Sequence, residues 1–593
     1  MVKNSGLRSY GAKSVFVLER KPTMRKKYFA AFWQLFRGFW QSEEKWRARG
    51  LLAVVISLNF ASVYLLVQIN TWYNDFYNAL QNYEEQLFWP LVGEFTALAF
   101  VYIIIAVYAI YLRQLVQIKW RTWMTKEYLA RWLNNRVYYR MQLTGSDTDN
   151  PDQRISEDIN QFVNLTLQLL IGFLKQLTTL AAFGVVLWNL SGVFTVPLGS
   201  YSFQIYGYMF WFSLAYSTVG TVFAHLVGRK LIGLNFDQQR YEADFRFGMM
   251  RLRENSESVA FYGGEKAEGE GFREKFVAVI KNFRELMNRT KLLNFYVNGY
   301  AQLAVIVPLV MAAPQYFSGA MALGGLMQTV SAFGRVQDAL SYFVESYDTI
   351  AQLASVIRRL EGFTEHMEDA QNATSGIKIA VGAKDALTAQ NLNINIPTGE
   401  NLLKNCSVEF LPKVRWLVTG ASGCGKSTLL RALAGIWPFG SGTINFPAKG
   451  ETLFLPQKPY LPLGSLRRAI YYPNPERRDD DENLRQKLQK VGLAHFAERL
   501  DDVDDWSRIL SLGEQQRLAF VRVLLIRPQR LILDEATSAL DQPYEKAMYE
   551  LLREELPNMS IISVGHRSTL FAAHDENLSL KGNGEWTAAS ITT

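Results

Sequence analysis

Residues Gly420-Ala421-Ser422-Gly423-Cys424-Gly425-Lys426-Ser427 form the pattern G-x-x-x-x-G-K-[ST]. An apolar run, Trp416-Leu417-Val418, precedes this pattern, and a helix-forming run that begins at Thr428 follows it. In such a loop the glycines let backbone N–H groups surround phosphate oxygens, and the next helix points its positive end at them. Lys426 adds a positive charge to the same phosphates, and the Ser427 hydroxyl can hold Mg²⁺. The stretch therefore predicts a strand–loop–helix unit that binds a nucleoside triphosphate.

A second segment, Leu531-Ile532-Leu533-Asp534-Glu535, has the pattern of a buried parallel strand that ends in two acids. Catalytic groups of such sheets lie at the carboxyl ends of the strands. We expect Asp534 to hold Mg²⁺ through water, and Glu535 to orient or deprotonate the attacking water. Alone, an Asp-Glu pair after an apolar run is more typical of a helix N-cap with a solvated neighbour. The phosphate loop upstream favours the catalytic interpretation.

Between these motifs, Leu510-Ser511-Leu512-Gly513-Glu514-Gln515-Gln516-Arg517 places a serine and a glycine at the start of a predicted helix. Like the helix after the phosphate loop, this helix has an N-terminus that can bind an anion. The phosphate loop already has its own helix, so the natural partner of this segment is the nucleotide of another subunit. Ser511, Gly513 and Glu514 are therefore further candidates for nucleotide contact.

The same segment, with L-D-E-A-T-S-A-L-D at 533–541 and S-V-G-H-R at 563–567, resembles the nucleotide-binding domain of ATP-binding-cassette (ABC) proteins. The resemblance implies that Ser511 and Gly513 are the signature residues, that Asp541 belongs to the D-loop and that His566 touches the γ-phosphate. Gln457, in L-P-Q-K-P at 455–459, matches the Q-loop, which links Mg²⁺ and water to the membrane domain. The implied cofactors are ATP and Mg²⁺. The candidates are then Glu535, His566 and Gln457 for catalysis, and Ser427, Gln457 and Asp534 for Mg²⁺.

The chain departs from the family pattern where an aromatic residue usually stacks on adenine. Residues 371–409 contain no Phe, Tyr or Trp. We therefore expect weak selectivity for ATP over GTP.

Length and composition limit the number of domains and indicate the cellular environment of the chain. A chain of 593 residues suits two or three domains. Its two cysteines, Cys406 and Cys424, imply no disulfide framework and a reducing environment for the nucleotide domain. Residues 1–27 are basic and polar, without the apolar core and cleavage site of a secretory signal.

The first half of the chain is predicted to lie in a membrane. Six apolar stretches are each long enough for a helix that crosses the bilayer. They lie near 51–72, 91–112, 166–190, 205–228, 292–313 and 320–343. Residues 73–90, 191–204 and 314–319 contain no Lys or Arg, whereas 1–50, 113–165 and 229–291 are rich in both. This positive-inside pattern predicts cytoplasmic termini, so the net charge of +8 reflects topology and not nucleic-acid binding.

The predicted architecture is an all-α, six-helix transmembrane domain followed by an α/β P-loop NTPase domain. We assign 1–50 to a cytoplasmic N-terminus, 51–360 to the transmembrane domain, 361–376 to a polar linker and 377–593 to the ATPase domain. Within the N-terminus, the aromatic stretch 29–40 predicts a helix that lies in the membrane interface; the alternative is the start of a span. In the cytoplasmic loops, 149–154 and 254–265 are the expected contacts with the ATPase domain.

Three further segments resemble one branch of the ABC family: N-P-D-Q-R-I-S-E-D-I at 150–159, E-S-V-A-F-Y-G-G-E at 257–265 and L-G-G-L-M-Q at 323–328. This branch includes the peroxisomal fatty-acyl-CoA half-transporters and the bacterial YddA-type and SbmA/BacA-like proteins, and the YddA type is the most similar. The resemblance implies an exporter-type fold, a bacterial inner membrane location and ATP-driven transport of a peptide, a cobalamin-like compound or a fatty acyl-CoA. Because one chain holds one phosphate loop and one signature, hydrolysis requires a homodimer.

Charged residues inside the spans are candidates for the substrate path, because each is costly in lipid unless it faces a cavity or a partner. These candidates are Lys175, Glu94, Arg335 and Asp338. Arg335 and Asp338 are three residues apart, so an intrahelical ion pair is the alternative for them. Lys175 lies deep in an apolar stretch, and the sequence favours neither a position that lines a cavity nor simple burial for its side chain.

The sequence also bears on three functions other than ATP-driven transport. A soluble cassette ATPase that acts on DNA or ribosomes is excluded by the six spans and the charge asymmetry. A proton-coupled carrier of the SbmA/BacA type with a vestigial ATPase domain is disfavoured because all catalytic positions are intact. An ATP-gated channel or regulator stays open from sequence alone.

Overall fold

The computed structural model describes residues 24–143, 150–198, 201–372, 375–382, 385–447, 450–474 and 480–591. Residues 1–23 of the predicted N-terminus and Asp149 of the predicted loop contact lie outside the described residues. The chain divides into two compact units, the first comprising residues 1–134 and 148–366 and the second residues 135–147 and 367–593.

The helices, in chain order, are α1 (Met24–Gln41), α2 (Lys45–Gln81), α3 (Glu85–Leu133), α4 (Val137–Leu143), α5 (Pro151–Gln153), α6 (Ile159–Ser191), α7 (Tyr208–Glu254), α8 (Ser256–Tyr262), α9 (Glu265–Phe317), α10 (Leu323–Glu345), α11 (Tyr347–Asn372), α12 (Lys426–Leu433), α13 (Leu466–Tyr471), α14 (Asp481–Lys490), α15 (Trp506–Ile509), α16 (Leu512–Ile526) and α17 (Gln542–Glu555). A π-helical segment, Arg154–Asp158, joins α5 to α6, and short 3₁₀ helices occur at Asn134–Arg136, Ala494–Arg499 and Ser568–Ala573.

The strands are β1 (Val193–Leu198), β2 (Tyr201–Tyr206), β3 (Ile377–Gly382), β4 (Leu387–Asn395), β5 (Asn401–Phe410), β6 (Arg415–Gly420), β7 (Gly440–Pro447), β8 (Thr452–Leu455), β9 (Gly464–Ser465), β10 (Val503–Asp504), β11 (Arg530–Asp534), β12 (Ser560–Val564), β13 (Glu576–Gly582) and β14 (Glu585–Ser590). All but the first two belong to the second unit.

The first unit is a bundle of long helices, and each predicted span overlaps one of them. In the described residues, five helical segments are long and apolar enough to cross a membrane. They are Lys45–Gln81, Glu85–Leu143, Pro151–Ser191, Tyr208–Glu254 and Glu265–Phe317. Several of these helices exceed the roughly 20 residues that a bilayer requires, so they extend beyond it. The prediction of a helical transmembrane domain is confirmed.

The sixth predicted span corresponds to α10, which is more polar than the other five. Its apolar residues Ala332, Phe333, Val336 and Ala339 are almost completely buried. Ala332, Phe333 and Val336 belong to a core that also contains residues of α2, α6, α7 and α9. A helix that packs against its neighbours on one face needs apolar residues only on that face. Arg335 and Asp338 can therefore lie on the other face of α10. That α10 crosses the membrane stays a prediction.

A β-hairpin occupies the predicted loop between the third and fourth spans. Strand β1 pairs antiparallel with β2, from Val193 opposite Tyr206 to Leu198 opposite Tyr201. Residues 199 and 200 lie outside the described residues. At the base of the hairpin, Gly192 accepts a backbone hydrogen bond from Gly207 at 3.3 Å. The sequence analysis treated this segment only as a loop.

The first part of the predicted linker is helical. Residues 361–372 are the last turns of α11, and Phe363, Met367 and Ala370 are buried there. The division between the two units falls after His366, inside this helix. Residues 373 and 374 lie outside the described residues.

The second unit contains two sheets. The larger has the strand order β14-β13-β6-β12-β11-β8, in which all neighbours except β14 and β13 run parallel. The smaller has the order β3-β7-β4-β5. Strands β11 and β12 are buried almost throughout, which explains their continuous apolar sequences. The α/β architecture predicted for the C-terminal half is confirmed.

Helix α4 comes from the predicted first cytoplasmic loop and packs within the second unit. Leu143 contacts the core formed by the smaller sheet and its neighbours. Arg136, just before α4, donates from Nη1 to the carbonyl oxygen of Ala434 at 3.4 Å. Residues 150–154, the segment of this loop expected to contact the ATPase domain, belong to the first unit, and that contact stays a prediction.

Candidate functional site

The phosphate loop connects β6 to α12, as the sequence predicts. Gly420, Gly423 and Gly425 have φ angles of 146°, 80° and 99°, which favour glycine. A Cβ atom on Gly420 would also lie 2.4 Å from the carbonyl oxygen of Leu580. The loop therefore requires glycine at this position for both conformation and space.

Lys426 is the first residue of α12 and is only 6% exposed. Its Nζ donates hydrogen bonds to the carbonyl oxygens of Gly420 at 2.9 Å and Ala421 at 2.8 Å. The ammonium group is thus held against the loop by its own backbone. This position suits a charge that neutralises a phosphate.

Ser427 and Asp534, two of the predicted Mg²⁺ ligands, lie together at the carboxyl end of β11. The Ser427 hydroxyl donates to Asp534 Oδ1 at 2.8 Å. Burial raises the pKa of Asp534 above its ordinary value, while the Ser427 hydrogen bond and the charges of Arg431 and Lys426 lower it. A bound divalent cation would favour the ionised carboxylate.

The available ligands fit Mg²⁺. Hydroxyl and carboxylate oxygens are the hard donors that this ion prefers, and Mg²⁺ commonly takes one or two protein ligands together with substrate phosphates. In the described part of the chain, no group of three or more His, Cys, Asp or Glu side chains forms a metal centre. An ion at Ser427 and Asp534 would therefore depend on phosphate and water for its remaining ligands.

Glu535 lies at the centre of the three predicted catalytic residues. Its Oε2 accepts a hydrogen bond from Gln457 Nε2 at 3.2 Å, and its Oε1 lies 3.3 Å from His566 Nε2. The Glu535 backbone has a φ of 48°, which is uncommon for a residue with a side chain. Its N–H donates to the Val564 carbonyl at 3.2 Å, so the end of β12 holds this conformation. The arrangement keeps the carboxylate next to Gln457 and His566.

The signature residues lie at the N-terminus of α16. Ser511 is the N-cap: its hydroxyl accepts from the Glu514 N–H, and the Glu514 carboxylate accepts from the Ser511 N–H at 2.9 Å and from its hydroxyl at 2.8 Å. Although burial raises the pKa of Glu514, the hydrogen bonds from Ser511 and the nearby positive charges leave it below its ordinary value. Glu514 is thus engaged in capping its own helix, and its predicted nucleotide contact stays a prediction.

Asp541 is the N-cap of α17 and accepts a hydrogen bond from the Tyr544 N–H at 3.0 Å. Among the described residues, no hydrogen bond joins Ser511 or Asp541 to residues 420–428. The fold brings Ser427, Asp534, Glu535, Gln457 and His566 to one site. In the part of the chain that the structure describes, Ser511 and Asp541 form no hydrogen bond to the phosphate loop of the same chain.

Lys175 lines a cavity of about 370 Å³ in the first unit. The cavity lies among α2, α3, α6 and α10, and its polar lining residues are Asn59, Ser62, Tyr102, Arg113, Gln168, Lys175 and Tyr342. Two of these are cations and none is an acid. The side chains of Glu94, Arg335 and Asp338 are exposed in the single chain and do not line this cavity. Within the described residues, no salt bridge joins Arg335 to Asp338.

Three residues at the candidate sites are not among the sequence predictions. Arg113 lines the cavity but follows the predicted end of the second span, so it was counted as a cytoplasmic charge. Gln516 and Arg567 contact the segment that ends at Asp541. Both are part of motifs that the analysis quoted. The sequence carries no signal that separates Gln516 from the adjacent Gln515, since both are buried polar residues of α16.

Two family models match the chain. The model described as ABC transporter transmembrane region 2 matches residues 36–317, and the model described as ABC transporter matches residues 403–538. The second match contains the phosphate loop, Gln457, the signature and both acids.

Several relatives align over nearly the whole chain. An ABC transporter ATP-binding protein of Haemophilus influenzae is 37% identical over 94% of this chain and 93% of its own length. The inner membrane ABC transporter ATP-binding protein YddA of Escherichia coli is 34% identical over 94% and 98%, respectively. The human lysosomal cobalamin transporter ABCD4 is 26% identical over 95% and 97%.

A solved structure of a bacterial Atm1-family ABC exporter with ATP bound has a TM-score of 0.69 to this chain. It is 18% identical in sequence, and the match covers 92% of this chain and 94% of that one. At this identity the similarity concerns the fold. The match includes residues of the helical unit and of the α/β unit.

Proposed function

Since this chain belongs to the ABC transporter family and carries one transmembrane region and one ATP-binding domain, we propose that two copies assemble into the working transporter. The chain is a half-transporter of the exporter type, and its ATPase activity is coupled to transport. In the homodimer, each nucleotide lies between the phosphate loop of one subunit and the signature of the other. Two equivalent sites result.

One observation carries this proposal. Ser427 bonds to Asp534, and Gln457 to the adjacent Glu535, whereas Ser511 and Asp541 make their hydrogen bonds elsewhere in the chain. A site that uses both sets requires a second copy of the chain. ATP then bridges two subunits, and its hydrolysis removes the bridge, which provides the differential contact that drives a conformational change.

The residues of the site have distinct roles in this proposal. Lys426 and the backbone of the phosphate loop would bind the phosphates, while Ser427 and Asp534 would hold the cation. Mg²⁺ bound there would neutralise the phosphate charge and align the reacting groups. Glu535 takes the proton of the attacking water, Gln457 orients that water, and His566 fixes the Glu535 carboxylate and approaches the γ-phosphate. Alternating access of the membrane cavity follows from the closing and opening of the ATPase domains.

The cavity around Lys175 is proposed to lie on the substrate path. Lys175 and Arg113 provide positive charge, and the other polar lining groups provide hydroxyls and amides. A hydrophilic or amphipathic solute with an anionic group would pair with Lys175 and Arg113, in a region where an unpaired charge is costly. Of the solutes considered, cobalamin-like compounds and fatty acyl-CoA carry phosphate groups, which fit this lining better than a neutral peptide does. The relative ABCD4 is named as a lysosomal cobalamin transporter.

The proposed location is the bacterial inner membrane, with the N-terminus and the ATPase domain in the cytoplasm. The distribution of Lys and Arg between the loops supports this orientation. Similarity to the inner membrane protein YddA supports the location.

Reconstitution in proteoliposomes tests the proposed function. Uptake and ATP hydrolysis would be measured with peptide, cobalamin and acyl-CoA, each added in turn to either side of the membrane. We expect one solute to be transported in an ATP-dependent manner and to stimulate hydrolysis. A protein that remains monomeric with saturating Mg-ATP and hydrolyses it at the full rate would contradict the homodimer. Transport that stops when a proton gradient collapses, while ATP is present, would favour the proton-coupled carrier.

A further inference from the structure

The D-loop, residues 538–541, follows Glu535 closely and ends at Asp541, the N-cap of α17. Two side chains from elsewhere in the second unit bind its backbone. Gln516 comes from α16, the helix that begins at the signature, and Arg567 follows His566. The D-loop is therefore attached both to the signature helix and to the segment that contains His566.

Gln516 is completely buried, and its side-chain amide connects three separate segments. Its Nε2 donates to the carbonyl oxygen of Gln457 at 2.8 Å, and its Oε1 accepts from the Ala539 N–H at 3.0 Å. Nε2 also lies 3.3 Å from Ser538 Oγ and 3.5 Å from the Glu535 carbonyl oxygen. One amide thus joins the signature helix to the Q-loop, the D-loop and the catalytic acid.

The two backbone partners determine the orientation of this amide. The Ala539 N–H can only donate and the Gln457 carbonyl can only accept, so the group between them needs one acceptor and one donor. Of the common side chains, only Gln and Asn carry both on one planar amide, and Asn is shorter by one methylene. Loss of either function would leave a buried backbone group unpaired, which is costly.

Close packing reinforces the link between the signature and the D-loop. A Cβ atom on Gly513 would lie 3.1 Å from the Ala539 carbonyl oxygen and 3.6 Å from Leu540 Cδ2. Arg567 donates to the carbonyl oxygens of Leu540 at 2.6 Å and Ser538 at 3.1 Å. A movement of the D-loop would therefore be transmitted to the signature helix and to the residue next to His566.

We propose that Gln516 is a positioning residue that transmits the state of one ATP site to the other. The proposal rests on the homodimer described above. In that assembly, Gln457 and Glu535 face the nucleotide of their own subunit, whereas the signature and the D-loop face the nucleotide of the partner. Gln516 connects the two groups within one chain, so the position of the Q-loop and Glu535 at one site sets the position of the signature at the other.

Gln515 offers a matched control on the same helix. It is also buried, with 4% of its surface exposed, and its Nε2 donates to the carbonyl oxygens of Ser507 and Leu510, both at 2.8 Å. Both partners precede Ser511, and neither belongs to the Q-loop or the D-loop. Gln515→Met and Gln516→Met therefore remove the same chemical group from the same helix, but only the second cuts the proposed connection.

The test measures kcat and KM for ATP hydrolysis by the reconstituted full-length variants, together with thermal unfolding and dimer formation. We expect Gln516→Met to lower kcat about tenfold or more while KM changes by less than about threefold, because transition-state alignment is lost and ATP binding is kept. Gln515→Met should lower the unfolding temperature by a similar amount and keep kcat within about twofold of the wild type. A wild-type kcat in Gln516→Met, or an equal loss in Gln515→Met, would overturn the proposal.

Gln516→Glu provides a second test if the methionine variant does not fold. It keeps the acceptor for Ala539 and loses the donor to Gln457, so kcat should still fall, and a wild-type kcat would contradict the proposal. A wild type that hydrolyses ATP as a monomer would contradict the homodimer itself, which is a separate result.

Mixed dimers distinguish a connecting role from a local one. One subunit carries Glu535→Gln, so only the other subunit's phosphate loop supports hydrolysis. Gln516→Met is then placed either in the subunit with the intact Glu535 or in the subunit that supplies the signature to it. A connecting role predicts a loss of hydrolysis in both placements. A loss in only one placement would assign Gln516 to that side of the site and overturn the connecting role.

Discussion

Arg359 and Asp158, which are 201 positions apart in the sequence, form a two-point ion pair between α11 and the segment that leads into α6. Arg359 donates from Nε to Asp158 Oδ2 at 2.9 Å and from Nη2 to Oδ1 at 2.5 Å. The same carboxylate also accepts from Arg154, and the Asp158 side chain is only 2% exposed. This buried group joins the N-P-D-Q-R segment, in the predicted first cytoplasmic loop, to helix α11.

Replacing Asp158 is expected to destabilise the first unit. Asp158→Ala leaves the buried Arg154 guanidinium without its carboxylate, and breaking a buried pair in this way costs about 3–5 kcal/mol. Thermal unfolding in detergent micelles would measure the loss. Asp237→Ala is the control, because its pair with Arg240 is exposed and 3.6 Å long, which is worth at most about 1 kcal/mol. Equal shifts in the two variants would contradict a structural role for the Asp158 ion pair.

The second prediction concerns Glu535 as the general base. Glu535→Gln keeps the size of the side chain but cannot take a proton, so kcat should fall by about 10²–10⁴-fold while ATP still binds. The ATP-bound dimer should accumulate, and cross-linking or light scattering with Mg-ATP would detect it. Hydrolysis at the wild-type rate in this variant would exclude Glu535 as the base.

The ATP site could be predicted in large part because its residues lie in short, contiguous motifs. Ser427 follows one predicted strand, and Asp534 and Glu535 end another, whereas Gln457 and His566 were identified through the resemblance to ABC nucleotide-binding domains. Parallel sheets bring such ends to one edge, so the order of the motifs along the chain was sufficient.

Other features depend on tertiary contacts that no local pattern encodes. The role of Gln516 follows only from the close approach of the D-loop to α16, and that of Arg113 from the packing of α3 against α6. The β-hairpin is different, because β1 and β2 carry the aromatic and β-branched residues typical of strands. There the signal was present, but a short segment between two spans was treated as a loop.

The third prediction tests the cavity. Lys175→Met should reduce transport about tenfold and abolish stimulation of ATP hydrolysis by the solute, because an anionic group would lose its partner in a low-dielectric site. Glu94→Gln is the control: Glu94 is also charged within a predicted span, but it does not line the cavity. Uptake into proteoliposomes provides the measurement. Unchanged transport in Lys175→Met would remove this residue from the substrate path.

The fourth prediction concerns the base of the nucleotide. Because residues 371–409 contain no aromatic side chain, stacking on adenine contributes little selectivity. We expect kcat/KM for GTP to lie within about tenfold of the value for ATP, since one stacked ring is worth about 0.5–1.5 kcal/mol. Steady-state hydrolysis of both nucleotides measures the ratio. A preference for ATP of several hundredfold would show that other contacts recognise the base.

The last prediction concerns pH and His574, which is 4% exposed and bonded through Nδ1 to the Leu570 carbonyl at 2.7 Å and through Nε2 to Ser563 Oγ at 2.9 Å. Burial lowers the pKa of His574 from 6.5 to about 4; the Leu570 hydrogen bond and the nearby Asp575 oppose this shift, and Arg415 adds to it. The folded state therefore favours the neutral imidazole, and the unfolded state binds the proton more tightly. The stability that this group contributes is complete above pH 6.5 and is lost as the pH falls toward 4, by about 3 kcal/mol in all.

Thermal unfolding between pH 7 and pH 4.5 separates His574 from the other titrating groups. His574→Gln has no group that titrates at this position, so its unfolding temperature should fall less steeply than that of the wild type as the pH is lowered. His495→Gln is the control, because the His495 side chain is 59% exposed whereas that of His574 is buried. Removal of the exposed imidazole should leave the unfolding curve close to that of the wild type. If His574→Gln followed that curve as well, protonation of His574 would not limit the acid stability of the second unit.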